Sequence, residues 1–110
     1  MNVLITGGTG FFGASLTKRL ANHGESNIVL YEKHINEDRI EDLRDKATIV
    51  QGDVLDFDKL KSTLEQHKID RIAHLAFLLT VASASNPTLA TQINCTGTVN
   101  VFESAKQCGI

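Results

Sequence analysis

The chain has 110 residues, 42% of them hydrophobic and 22% charged, and a formal net charge of −2. That balance fits one soluble domain with a core and is too short for two. The slight acidity offers no basic surface to nucleic acid or to an anionic membrane, and no apolar run is long enough to span a bilayer.

The first cation is Lys18, so the basic start of a signal peptide is missing. Cys95 and Cys108 fall on one predicted helix, about 20 Å apart at helical rise, too far for a bridge within the chain. They read as free thiols, and the expectation is a cytoplasmic protein. His23, His34 and His67 are scattered and suggest no metal site.

In chain order, Val3-Leu4-Ile5-Thr6 predicts a buried strand. It runs into Gly7-Gly8-Thr9-Gly10-Phe11-Phe12-Gly13, and a helical pattern starts at once. Such glycines permit positive φ and let a ligand approach without meeting a Cβ. The helix that follows points free N–H groups and its positive dipole end at the loop, which suits a pyrophosphate. Gly8-x-Gly10-x-x-Gly13 matches the general dinucleotide fingerprint, and Thr6-Gly7-x-x-Gly10-x-x-Gly13 a narrower one.

The first helix is predicted from Phe11 to about His23, with Phe12, Leu16 and Leu20 on its inner face and Gly24 after its end. Asn27 to Tyr31 predicts a second buried strand, with Glu32, Lys33 and His34 at its C-terminal end. The charged stretch Asn36 to Asp45 reads as a short exposed helix or turn anchored by Ile40 and Leu43. Ala47 to Val50 predicts a third, edge-like strand, followed by a turn at Gly52-Asp53-Val54. Asp56 is a good N-cap for a helix to about His67, with Leu60 and Leu64 inward. Asp70 to Leu75 predicts a fourth strand, and Ala76 to Ser85 a loop. From Asn86-Pro87 one long helix is expected, with Leu89, Ile93, Gly97, Val101, Ala105 and Cys108 inward.

Strands alternating with helices argue for right-handed βαβ units and a doubly wound parallel α/β sheet in the order 3-2-1-4. A ligand would sit above the C-terminal ends of strands 1, 2 and 4, where that order switches.

Four motifs in this order carry a resemblance. They are Thr6-Gly7-x-x-Gly10-x-x-Gly13, Gly52-Asp53-Val54, His74-Leu75-Ala76 and Asn94-x-x-Gly97-Thr98-x-Asn100-x-Phe102-Glu103-Ser104-Ala105. Together they resemble the extended short-chain dehydrogenase/reductase family, the NAD(P)-dependent sugar epimerases and dehydratases. The resemblance implies a Rossmann-like NAD(P)-binding domain over residues 1–110, lacking the family's fifth strand onward and its substrate lobe. Leu78-Leu79-Thr80 after Phe77 is similar to the epimerase-like threonine dehydrogenases, so the branch stays open.

The resemblance also implies roles. Gly7, Gly10, Phe11 and Phe12 would cradle the pyrophosphate through backbone N–H groups. Glu32 would accept from the adenosine ribose hydroxyls, with Lys33 beside it. Asp53 and Val54 would border the adenine, Asp53 by a hydrogen bond to its amino group. Leu75, Ala76 and Phe77 would run along the ribose and nicotinamide, with Phe77 bulkier than the family's usual small residue. Asn94 would brace the strand-four loop, and His74 would be a packed strand-end histidine. The implied cofactor is NAD, ahead of NADP.

The family's Tyr-x-x-x-Lys proton-transfer pair is not found. The only tyrosine is Tyr31, followed four residues later by Ile35. No residue is assigned as catalytic, and the chain alone is expected not to turn over substrate. Two functions fit: the cofactor-binding part of an epimerase/dehydratase-type oxidoreductase, or a stand-alone dinucleotide-binding module. The apolar strand-four run Ile72 to Ala76 has no predicted second neighbour, so self-association through that strand or the last helix is expected.

Overall fold

Four short apolar runs form one parallel sheet in the order β3-β2-β1-β4. The computed structural model describes residues 1–25 and 27–110. β1 is Asn2–Thr6, α1 Phe11–Asn22, β2 Asn27–Glu32, α2 Glu37–Ile40, β3 Thr48–Gln51, α3 Phe57–Gln66 and β4 Arg71–His74. Then come α4 Thr80–Ser85, α5 Pro87–Thr91, a π-helical segment Gln92–Gly97, and α6 Thr98–Gln107.

Period-two alternation along the strands builds a core on each face. Leu4, Val29 and Tyr31 point to one side and pack with Val54, Leu60, Leu64, Ile69 and Val101, from α3, α6 and their flanks. Val3, Ile5, Ile28 and Leu30 point to the other and pack with Ala14 and Leu43. β1 lies in the middle, in register with β2 (Ile5 opposite Leu30) and with β4 (Ile5 opposite Ala73). Its C-terminal end is therefore where the chain crosses from one face to the other.

Three expectations are corrected. Phe12 does not belong to the inner face of α1: it is 74% exposed, and Gly13, Ala14 and Thr17 are the buried positions. Phe12 sits in the first turn, at the rim of the sheet, where only small residues can approach the loop. The loop predicted over Ala76 to Ser85 contains the short helix α4. The single last helix is three segments, because a π turn adds a residue between α5 and α6.

The capping expectations match the geometry. The Asp56 side chain accepts from Lys59 N–H at 3.1 Å, and Gly24 takes φ +91° just past α1. Ile40 and Leu43 are buried, so the charged segment has two anchors in the core.

Candidate functional site

A cleft of about 610 Å³ opens at the C-terminal ends of β1, β2 and β4. It is lined by Gly7, Gly10, Phe11, Phe12, Glu32, Lys33, Asp53, Val54, Leu75, Ala76 and Phe77, all expected from the sequence. Asn94 is not on its wall. It lies behind, where its Oδ1 accepts from Leu78 N–H at 2.8 Å and its Nδ2 donates to Leu78 O at 3.1 Å.

The glycine loop forms the floor. Gly7 has φ +65°, and a Cβ there would lie 2.9 Å from Ala76 N. The loop and the β4 wall thus touch through backbone alone. Gly10 N–H donates to Gly7 O at 3.0 Å, and Ala14 N–H donates to Gly10 O at 2.9 Å. The amides of Phe11, Phe12 and Gly13, in the first turn of α1, have no intrahelical acceptor. No acidic side chain occupies that first turn. The floor is therefore a set of free N–H donors at the positive end of a helix. The Phe11 and Phe12 rings turn outward, edge to face at 5.5 Å, with Arg39 stacked over Phe11.

The polar wall is more tightly tied than the sequence suggests. Glu32 Oε2 accepts from both Thr9 N–H (3.2 Å) and Thr9 Oγ–H (3.1 Å). Thr9 Oγ1 in turn accepts from Asn36 N–H at 3.1 Å. One carboxylate oxygen thus braces the loop, and the other has no protein donor among the described residues. Asp53 is committed on both oxygens: Oδ1 accepts from Leu55 N–H at 2.9 Å, and Oδ2 pairs with Lys33 Nζ at 3.1 Å. The Tyr31 hydroxyl donates to Asp53 O at 3.0 Å. Burial, with the carboxylates of Asp56 and Asp53 nearby, pushes that phenol far above its ordinary range. Gly52 makes room for the ring, since a Cβ there would collide with it.

Sequence reasoning gave no role to Thr9, and it quoted Thr6 and Thr98 in motifs without assigning their side chains a role. The bonds that tie them to the site reach partners 23 to 70 residues away, which spacing along the chain does not reveal. Thr6 Oγ1 accepts from Leu75 N–H at 3.0 Å and Ala76 N–H at 3.2 Å, and lies 2.6 Å from His74 Nδ1. His74 Nε2 lies 3.1 Å from Thr98 Oγ1. Burial lowers the pKa of this imidazole and favours its neutral form.

A family profile described as GDP-mannose 4,6 dehydratase matches residues 4–110. The chain belongs to the extended short-chain dehydrogenase/reductase family, the NAD-dependent epimerases and dehydratases. Among similar proteins, the UDP-glucose 4-epimerase of Erwinia amylovora is 34% identical, over 100% of this chain and 34% of its own length. The solved L-threonine dehydrogenase of Clostridium difficile is 30% identical with a TM-score of 0.89, over 98% of this chain and 34% of its own. A UDP-glucose-4-epimerase of Stenotrophomonas maltophila, solved with bound NAD and formylated UDP-arabinopyranose, is 26% identical with a TM-score of 0.90, over 100% and 34%. The chain thus spans about a third of the length of these family members.

Cys95 and Cys108 are both free thiols, and no described helix is long and apolar enough to cross a membrane.

Proposed function

We propose that this chain is the dinucleotide-binding portion of an NAD-dependent epimerase- or dehydratase-type oxidoreductase, acting on a nucleotide sugar or a similar carbinol. The observation that carries it is the cleft at the switch of strand order, where free helix-start amides, a strand-end carboxylate and the β4 wall meet. The similar epimerase solved with NAD supports the cofactor, and the UDP-glucose 4-epimerases among its relatives support the substrate class.

Gly7, Gly10, Phe11 and Phe12 would hold the pyrophosphate by backbone. Glu32, through its free oxygen, would accept from the adenosine ribose. Val54 and Asp53 would border the adenine, with Asp53 held by Lys33. Leu75, Ala76 and Phe77 would flank the nicotinamide side, and Asn94 would hold their loop. When bound, the nicotinamide supplies a hydride acceptor for a carbinol carbon. No Tyr-x-x-x-Lys pair occurs in the 110 residues, and the Tyr31 hydroxyl is committed to Asp53. This portion alone would therefore bind cofactor without turnover.

Calorimetric titration tests the proposal, with NAD expected to bind more tightly than NADP. Glu32 cannot swing away without releasing Thr9, and Lys33 is already paired. A carboxylate about 4 Å from a 2′-phosphate costs up to ~4 kcal/mol per charge pair before screening. Glu32→Gln should narrow the gap. Tighter binding of NADP at moderate salt would overturn the assignment of Glu32.

Self-association belongs to the same proposal. β4 pairs with β1 alone among the described residues, and Val99 and Phe102 are exposed on α6. An open strand edge and an apolar helix face both invite a second copy. Sedimentation at micromolar concentration should give a dimer or larger species. A single monomeric species with slowed amide exchange along β4 would refute it.

A further inference from the structure

The partners of the Thr6 hydroxyl set the state of His74. A threonine hydroxyl has one proton and two lone pairs. Leu75 N–H and Ala76 N–H can only donate to that oxygen, and Leu75 N–H is shared with the backbone carbonyl Thr6 O at 3.1 Å. Thr6 is fully buried, and among the described residues His74 Nδ1, at 2.6 Å, is the one partner of its hydroxyl that can accept, so that contact is made by the Thr6 proton. Nδ1 is therefore unprotonated, and the neutral ring carries its proton on Nε2. That proton is donated to Thr98 Oγ1, which donates its own to Asn94 O at 2.7 Å. One directed chain runs from the β4 wall, through β1 and the imidazole, into the π segment.

We propose that His74 is a positioning residue of the cofactor cleft: as the neutral Nε2–H tautomer it latches the Leu75–Ala76 wall against the glycine loop, and its protonation releases that wall and weakens dinucleotide binding. This rests on the reading of the cleft as a dinucleotide site. The wall touches the loop where Gly7 meets Ala76 N and the Leu75 carbonyl. A protonated Nδ1 would take away the acceptor of the buried Thr6 proton and aim a further donor at the same oxygen. Either the ring turns out of its site or the Thr6 hydroxyl turns and the Ala76 amide lets go, and both loosen the wall. The groups that face the ring are the Thr6 hydroxyl from β1 and the Thr98 hydroxyl from α6. Among the described residues no charged side chain bonds to it or pairs with it, so nothing offsets the loss. Burial acts in the same direction.

The sign follows from linkage. A histidine whose pKa is depressed in the competent state favours that state fully above its ordinary pKa and loses it as pH falls through the depressed value. One proton can change affinity by no more than about tenfold per pH unit.

The test combines calorimetry with NAD from pH 7.5 to 5.0 and nitrogen NMR of the His74 ring without ligand. The chain is expected to bind NAD roughly fivefold more weakly at pH 5.0 than at pH 7.5. His74→Asn, whose amide oxygen can still accept from Thr6 but does not titrate, should hold its affinity within about twofold over that range. His34 also lines the cleft, and His34→Asn should keep the fall. The ring spectrum at neutral pH should show unprotonated Nδ1 and protonated Nε2. Thr98→Val, which keeps the ring but removes its acceptor, should give a tautomer mixture and about threefold faster exchange at the Leu75 and Ala76 amides. An unchanged fall in His74→Asn, or a protonated Nδ1 at neutral pH, would overturn the proposal. If NAD binds at no pH, the dinucleotide reading fails and the binding role fails with it, while the ring spectrum separately decides the latch.

Discussion

Gly13→Val is expected to lower the unfolding midpoint by at least ~12 °C, the equivalent of ~3 kcal/mol or more in a domain of this size. A Cβ at this position would lie 2.5 Å from Gly7 O and 2.7 Å from both the carbonyl carbon and Cα of Gly8. All three are backbone atoms of the loop, so no side chain can rotate away. Either α1 lifts off the loop, losing the bond from Gly10 N–H to Gly7 O, or the loop leaves its place against β4. Such a loss is a large share of the ~5–15 kcal/mol that holds a domain together. Gly24→Ala is the control for conformational strain alone. Gly24 has φ +91°, and among the described residues nothing lies within 4 Å of its missing Cβ, so alanine there should cost only ~1–2 kcal/mol. Thermal unfolding followed by circular dichroism reads both. A Gly13→Val variant melting within a couple of degrees of the parent would mean that α1 does not pack on the loop as described.

The sheet was legible because its signals are local. Each strand is a short run with apolar residues, the first three ending at a glycine or a charge, and the alternating helices force the crossovers that give 3-2-1-4. The cleft followed from the same logic, since its glycine loop and Glu32 both stand at strand ends. What escaped depends on partners far along the chain. Phe12, Leu16 and Leu20 share a helical face by spacing, yet Phe12 lies beyond the sheet and has no core to enter. The π turn at Gln92–Gly97 has no sequence signature of its own. Gly97 presses so closely on Val54 that a Cβ would meet Val54 Cγ2 at 2.7 Å, while Asn94 bonds both backbone groups of Leu78. Satisfying both contacts from one helix is what the extra residue allows. The helix α4 escaped because Thr80–Ser85 is six residues of mostly small side chains and its N-cap, Leu79, offers no capping oxygen.

Glu32 shows how a correct position can carry an incomplete role. A carboxylate at the end of β2 suggests an outward acceptor, and one oxygen remains free for that. The other oxygen is half of a brace with Thr9, which also receives Asn36 N–H. The loop, the strand end and the start of α2 are thus one hydrogen-bonded unit. Cofactor preference and loop geometry are set by the same side chain.

Gly10→Val should abolish dinucleotide binding, at least a hundredfold or ~3 kcal/mol, while the domain stays folded. Gly10 differs from its neighbours in the loop. Its φ of −71° and ψ of 177° are open to any residue, so valine brings no backbone strain. A Cβ there would meet only Gly7 O, at 3.1 Å, a contact that a shift of a few tenths of an ångström relieves. Losing glycine at an N-cap adds a modest cost, and the whole penalty should be ~1 kcal/mol. The branched side chain would nevertheless stand in the cleft, directly in front of the free amides of Phe11 and Phe12, where an anion must come within hydrogen-bond distance. Gly7→Ala should behave differently. It combines φ +65° with a Cβ 2.9 Å from Ala76 N, so it should lose stability and binding together. Calorimetric titration with NAD, paired with a thermal melt of each variant, separates the two cases. Parental affinity in a folded Gly10→Val protein would show that the loop is not the phosphate site.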